Sequence, residues 1–191
     1  MKIGLFPGSF NPIHIGHLII AQYLLNHESL DKIRFIISPQ NPLKKRRILA
    51  SPEDRFQMVH LAIEDNPALE ASDIEFHLGL PSFTIDTLDS LKKIETENEF
   101  SLIIGSDNYE NFEKWKSHDR LIRENQVFVY PRNGFKPNLA GNSPFTFIQS
   151  PEIDISSTLI RELIQAKKEI RYLVPEMVRE YLKKKNLYLG E

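Results

Sequence analysis

Short runs of consecutive apolar residues alternate along the chain with segments whose apolar positions recur every three or four residues. The runs predict buried strands and the spaced segments amphipathic helices. Residues 2–6 form the first run, which ends in the turn residues Pro7, Gly8 and Ser9, and a helical pattern begins near Gly16 with HLIIAQYLL. KIRFIIS at 32–38 is a second strand. The basic loop PQNPLKKRR follows it, then a helix from about Ser51, where SPED supplies a cap, a proline and two acids. Residues 71–76 predict a third strand, and from Thr84 the stripe Ile85, Leu88, Leu91, Ile94 predicts a helix. Residues 100–104 make a compact strand closed by Gly105, and short helices carrying Tyr109, Phe112 and Trp115 are expected over 107–124. QVFVY at 126–130 is a further strand, stopped by Pro131. FTFIQ at 145–149 is the last. Ser156 or Ser157 caps a helix bearing Leu159, Ile160, Leu163 and Ile164, and Pro175 starts a closing helix.

Strands alternating with helices imply an α/β fold with a mostly parallel sheet and helices on both faces. Without a repeat or a linker, residues 1–191 read as one domain whose C-terminal helical part, about 151–191, packs on the sheet. Ligands of such sheets bind at the carboxyl ends of the strands.

Composition narrows the chemistry. With 24 Lys and Arg against 26 Asp and Glu, the net charge is −2, so nothing in the bulk electrostatics favours a nucleic-acid partner. The absence of cysteine removes disulfides, thiolate zinc sites and cysteine nucleophiles, and fits a reducing compartment. No apolar run approaches the roughly 20 residues of a spanning helix, so a cytoplasmic protein without a membrane partner is expected.

Three segments carry candidate chemistry. GSFNPIHIGH, positions 8–17, follows the first strand, at the edge where such a sheet holds its ligand. Gly8 and Gly16 permit close approach of a phosphate to the backbone and to the helix start, and His14 and His17 lie three residues apart. Two isolated histidines are more often ordinary loop residues, and without a carboxylate or cysteine partner they make an incomplete zinc site, so no metal ligands are assigned. In ISSTLIR, positions 155–161, a serine-rich cap opens a helix with Arg161 in its first turns. A cation there opposes the helix dipole unless an anion lies between, although pairing with Glu152 or Glu162 is the plainer outcome. In the basic loop, Lys44 is the candidate cation, against the usual reading of such a run as solvated surface. IIGSD places Ile104, Gly105 and Asp107 beyond a strand, and Trp115 is the one tryptophan, a stacking partner or simply a packing residue. There is no GxxxxGK[ST], GxGxxG or GxSxG.

GSFNPIHIGH and ISSTLIR together resemble the paired signatures of the nucleotidyltransferase superfamily. Within it the chain is most similar to the bacterial nicotinate mononucleotide adenylyltransferases, sharing SFTIDTL at 82–88, IIGSDN before Trp115, and YPRNG at 130–134. The resemblance implies a Rossmann-like, doubly wound fold and adenylyl transfer from ATP to nicotinate mononucleotide, giving the deamido dinucleotide and pyrophosphate, with Mg2+ accompanying ATP. It implies that His14, His17 and Arg161 stabilise charge on the phosphates, a role that the basic loop extends to Lys44. Gly8, Ser9, Phe10 and Gly16, with the Ser156, Ser157 and Thr158 turn, would hold the triphosphate, and Ile104, Gly105 and Asp107 would frame the adenosine ribose. On the acceptor side it implies Trp115 against the pyridine ring, backbone N–H groups at Ser82, Thr84 and Ile85 on the carboxylate, and Arg132. Two departures from the family pattern are Pro7, where a second glycine is common, and Asn11, where an aspartate is.

Two other classes stay open at this level. One is another acceptor on the same scaffold, as in the pantetheine phosphate adenylyltransferases or the cytidylyltransferases. The other is a nucleotide- or RNA-binding module without turnover, using the 44–47 loop with Trp115 and Phe112.

Overall fold

The computed structural model describes residues 1–39, 49–132, 134 and 143–189. Lys44 and the rest of the basic loop up to Arg47 therefore lie outside the described residues, as does most of the connection after Arg132.

Six strands form one sheet: β1 (Lys2–Gly8), β2 (Lys32–Ile37), β3 (Leu69–Ser72), β4 (Glu99–Gly105), β5 (Val127–Tyr130) and β6 (Phe145–Phe147). Their order is β3-β2-β1-β4-β5-β6, and every adjacent pair is parallel. This is the doubly wound order, in which the chain reverses its direction of travel between β1 and β4. The helices are α1 (Ile15–His27), α2 (Pro52–Ile63), α3 (Thr84–Ile94), α4 (Ser106–Tyr109), α5 (His118–Glu124), α6 (Ser157–Gln165) and α7 (Glu176–Lys184).

Alternation along the strands divides the interior in two. Phe6, Ile33, Phe35, Ile37, Ile103 and Phe128 point to a core shared with Leu24 of α1, Met58 and Val59 of α2, Ile160 of α6, and Val178 and Leu182 of α7. Their neighbours Ile3, Leu5, Ile36, Leu102, Ile104, Val127 and Val129 point the other way, to Ile85, Leu88 and Leu91 of α3 and Leu121 of α5. Side chains of successive strand residues leave opposite faces, so a sheet covered on both must be apolar at nearly every position.

Three local outcomes differ from the pattern reading. β3 stops at Ser72, and residues Ile74–His77 form a 3-10 turn, because Glu75 turns inward to meet Ser82 and Thr87. Ile94 ends α3 at 74% exposure and lies outside the stripe, which Ile85, Leu88 and Leu91 form alone. β1 runs on through Pro7 to Gly8, pairing Pro7 with Ile36 and Gly8 with Ile37. The Gly8 carbonyl accepts from Ser38 N–H of the β2 side at 3.0 Å, so the alternate residue Pro7 faces β4. There the pairing has already ended, and the missing N–H of proline costs no rung.

That early ending opens the site. β1 pairs with β4 only as far as Leu5↔Leu102, whereas β1–β2 pairing continues to Gly8↔Ile37 and β4–β5 pairing to Gly105↔Tyr130. A crevice therefore parts the carboxyl ends of the two central strands.

Candidate active site

One wall of the crevice is the loop from Gly8 to the start of α1. Phe10 takes a left-handed backbone, φ 43°, and its ring fills the space that a Cβ on Gly8 would occupy, 2.7 Å away. His14 is the residue before α1, and its ring covers Gly16, where a Cβ would come within 3.1 Å of Nδ1. The two glycines thus make room for rings of the loop itself. His17, one turn on, stands on an aromatic floor, with ring centroids 5.1 Å from Phe10 and 6.1 Å from Phe6.

His14 is buried, and neither of its ring nitrogens has a hydrogen-bond partner among the described residues. Burial, with a smaller push from the Arg132 guanidinium, lowers its pKa to about 3, so it is a neutral imidazole at physiological pH. Ser9 Oγ and Arg161 Nε are likewise buried without a partner among the described residues. Interiors rarely tolerate such atoms, and their grouping around one crevice makes it the candidate binding site.

Ser156 is the cap of α6, its Oγ accepting from Leu159 N–H at 3.1 Å. Ser157 and Arg161, four apart on one helix face, both reach the β1 loop. Ser157 Oγ donates to Pro12 O at 2.8 Å and Arg161 Nη1 donates to Asn11 O at 2.8 Å, while Nη2 donates to Thr158 Oγ1 at 3.1 Å. Arg161 forms no ion pair among the described residues, so the pairing with Glu152 or Glu162 does not occur. Burial weighs against its charge, partly offset by Tyr188 and Glu162, and its pKa falls below the ordinary arginine value.

The opposite wall is the end of β4. A Cβ on Gly105 would lie 2.5 Å from Asp107 Oδ1 and 3.1 Å from Arg132 Cδ, so only glycine leaves this corner undisturbed. Ser106 Oγ accepts from Arg132 N–H at 3.0 Å, and the Arg132 guanidinium sits 3.4 Å from Asp107 and over the Tyr130 ring. Arg132 thus stands with Asp107 and near His14.

A second group lies on the α3 side. Ser82 Oγ and Thr87 Oγ1 both donate to the buried carboxylate of Glu75, at 2.8 and 2.9 Å. They fix the turn whose residue Phe83 precedes α3 without any side-chain cap, leaving the leading N–H groups of that helix for another acceptor. The Ile85 side chain is in the core, so only its backbone faces the turn. Lys116 joins the Trp115 segment to this turn, donating to Asp86 at 2.8 Å and lying over the Phe83 ring. One face of Trp115 stacks on Phe112 at 5.2 Å.

A cytidylyltransferase-like family model matches residues 5–163. A Bacteroides thetaiotaomicron protein named "probable nicotinate-nucleotide adenylyltransferase" is 45% identical over 96% of this chain and 91% of its own length. One of the same name from Cytophaga hutchinsonii is 44% identical over 98% of both. The chain belongs to the nicotinate-nucleotide adenylyltransferase family. A solved structure from the wider group, "Plasmodium falciparum nicotinic acid mononucleotide adenylyltransferase complexed with NaAD", superimposes with a TM-score of 0.81 over 98% of this chain and 97% of that one. At 22% identity, that likeness establishes the fold.

Against the family signatures, the β1 loop, the α6 start and the β4 end converge, and the Ser82 turn and the Trp115 segment form a neighbouring group. Sequence reasoning missed Arg55, Glu75 and Tyr188. Arg55 is 1% exposed and grips four carbonyls, donating to Ala50 at 3.1 Å, Ser9 at 2.7 Å, Ser38 at 2.7 Å and Pro39 at 3.0 Å. Its position on the core-facing stripe of α2, three before Met58 and four before Val59, was the available signal. Glu75, an acid between Ile74 and Phe76, carried a similar one.

Proposed function

We propose that this chain transfers the adenylyl group of ATP to nicotinate mononucleotide, releasing pyrophosphate and forming nicotinate adenine dinucleotide, in cytoplasmic NAD biosynthesis, within one domain over residues 1–191. The observation that carries the nucleotide half is the set of buried polar atoms without partners on Ser9, His14 and Arg161 around the crevice. A triphosphate supplies oxygen acceptors for the histidine and arginine N–H groups and compensates the Arg161 charge. In this reading the Ser9 and Phe10 backbone, Gly8, Gly16 and the Ser156–Thr158 helix start line the phosphates, with Ile104, Gly105 and Asp107 at the ribose. Lys44 is assigned the role of an added cation from its place in the basic loop after the second strand. Arg132, beside Asp107, takes its place at the meeting point of nucleotide and acceptor.

The acceptor phosphate oxygen attacks the α-phosphorus, the bond from that phosphorus to the bridging oxygen breaks, and pyrophosphate leaves with the electron pair. No covalent enzyme intermediate or general base is needed, because the nucleophile is already an anion. The protein positions the two reactants and stabilises charge as it shifts toward the leaving group. His14 serves as a hydrogen-bond donor through whichever nitrogen carries its proton, and Arg161 and His17 bracket the same oxygens. On the acceptor side, the leading N–H groups of α3 around Ser82, Thr84 and Ile85 suit a planar carboxylate, and the face of Trp115 away from Phe112 suits the pyridine ring. Among the described residues no three His, Cys, Asp or Glu side chains converge on a metal site. Magnesium, proposed to accompany ATP, would neutralise part of the triphosphate charge.

Pyrophosphate release from ATP, compared with nicotinate mononucleotide, its amide counterpart, phosphopantetheine and no acceptor, tests the assignment. Release dependent on the nicotinate acceptor is the expected result. Release only with another acceptor would keep the scaffold and overturn the substrate.

A further inference from the structure

Beyond the end of α7 the chain turns sharply, with left-handed backbone at Asn186, φ 52°, and again at Tyr188, φ 63°. The turn brings the Tyr188 ring against the first core and directs its hydroxyl to the β1 loop, where it donates to Asn11 Oδ1 at 2.6 Å. The same oxygen accepts from Ala50 N–H at 3.0 Å, and the Asn11 carbonyl accepts from Arg161 Nη1 at 2.8 Å. Asn11, buried and three residues before His14, therefore ties three separate parts of the chain to the loop that carries the unpartnered Ser9 and His14 atoms. Burial pushes the Tyr188 phenol up, so its hydroxyl keeps the proton it donates.

We infer that Tyr188 is a positioning residue for the nucleotide half of the site, which acts through Asn11 to hold the β1 loop in its ATP-binding shape. It touches neither reactant. Asn11 is suited to this work because its oxygen takes two donors while its neutral side chain leaves the charge of Arg161 for the phosphates. The inference rests on the reading of the β1 loop as the triphosphate site.

A second phenol provides the comparison. Tyr181 of α7 donates to Asp54 of α2 at 2.7 Å, a bond of the same kind between C-terminal and central elements that does not touch the loop. Calorimetric titration of the full-length protein with ATP, alongside thermal melting, compares wild type, Y188F, N11A, Y188F/N11A and Y181F. Loss of one hydrogen bond at Tyr188 should weaken ATP binding about fivefold. The double variant should bind no more weakly than N11A alone, and Y181F should lower the melting temperature while leaving ATP affinity unchanged. Y188F that binds ATP as tightly as wild type, additive effects in the double variant, or an equal loss of ATP affinity in Y181F would overturn the inference. Wild-type protein that binds no ATP would overturn the nucleotide reading itself, which separates the two failures.

Discussion

The rings of His14 and His17 lie 3.7 Å apart between centroids, tilted by 31°, and the His14 main-chain N–H donates to His17 Nδ1 at 3.3 Å. One histidine thus fixes the other at the mouth of α1, and the pair presents itself to the crevice as a unit whose inner member is held neutral.

That neutrality has a consequence for stability. Between about pH 3 and 6.5 the folded chain keeps His14 unprotonated while the unfolded chain protonates it, so unfolding takes up a proton. The His14 contribution is complete above pH 6.5 and is lost as the pH falls toward 3. Urea unfolding across this range should give a shallower pH dependence for H14Q than for wild type, and identical slopes would contradict the burial assigned to the ring.

Arg161 should matter far more to turnover than to folding. R161A removes the donor proposed for the phosphates and is expected to lower kcat about 100-fold or more. The native state loses its bonds to the Asn11 carbonyl and the Thr158 hydroxyl, a cost of about 1–2 kcal/mol. Steady-state rates beside urea midpoints separate the two effects; a collapse of stability with kcat per folded molecule intact would refute the assignment.

Arg55 should behave in the opposite way. Its guanidinium gathers the carbonyls of Ser9, Ser38, Pro39 and Ala50 without an ion-pair partner among the described residues. R55A leaves those acceptors buried and unserved, and is expected to cost about 3–5 kcal/mol in equilibrium unfolding. R55K keeps the charge without the fork and should recover only part of that loss. A change below about 1 kcal/mol for R55A would show that the loop is held by other means.

At Gly105 a single methyl group tests the ribose corner. In G105A the new Cβ must displace Asp107 and press on Arg132 and Tyr130. Asp107 is half-exposed and can swing outward, so the melting temperature should change little, while KM for ATP rises on the order of tenfold or more. Unchanged KM for ATP would remove Asp107 from the nucleotide side.

The strands and helices were readable because burial on both faces of a parallel sheet writes unbroken apolar runs, and because Ser51 and Ser156 announce their helices with side-chain caps. The short motifs led to the carboxyl ends of β1 and β4, where His14 and Gly105 lie, because doubly wound sheets bind ligands there. Pattern failed where a single polar group was recruited inward. Glu75 bends the chain out of β3 to reach two hydroxyls that lie 7 and 12 residues later, and no local periodicity encodes that. Arg55 is hidden by its charge, since the carbonyls that accept it come from two loops, those that follow β1 and β2. Tyr188 meets Asn11 across 177 positions of sequence, a contact that only the closed fold defines.

The division of the interior into two cores also separates the acceptor side of the proposed reaction from the residues assigned to the phosphates, while Ile104 at the ribose shares the acceptor side's core. His14 and His17 stand at the start of α1 and Arg161 on α6, helices that pack in the core with Phe6 and Phe10, whereas Phe83, Ile85, Phe112 and Trp115 belong to the core beneath α3 and α5. A mutation that reshapes the pocket for the acceptor therefore repacks one side of the sheet and leaves the other undisturbed. Such a chain is free to drift toward new acceptors while its proposed grip on the triphosphate is inherited intact.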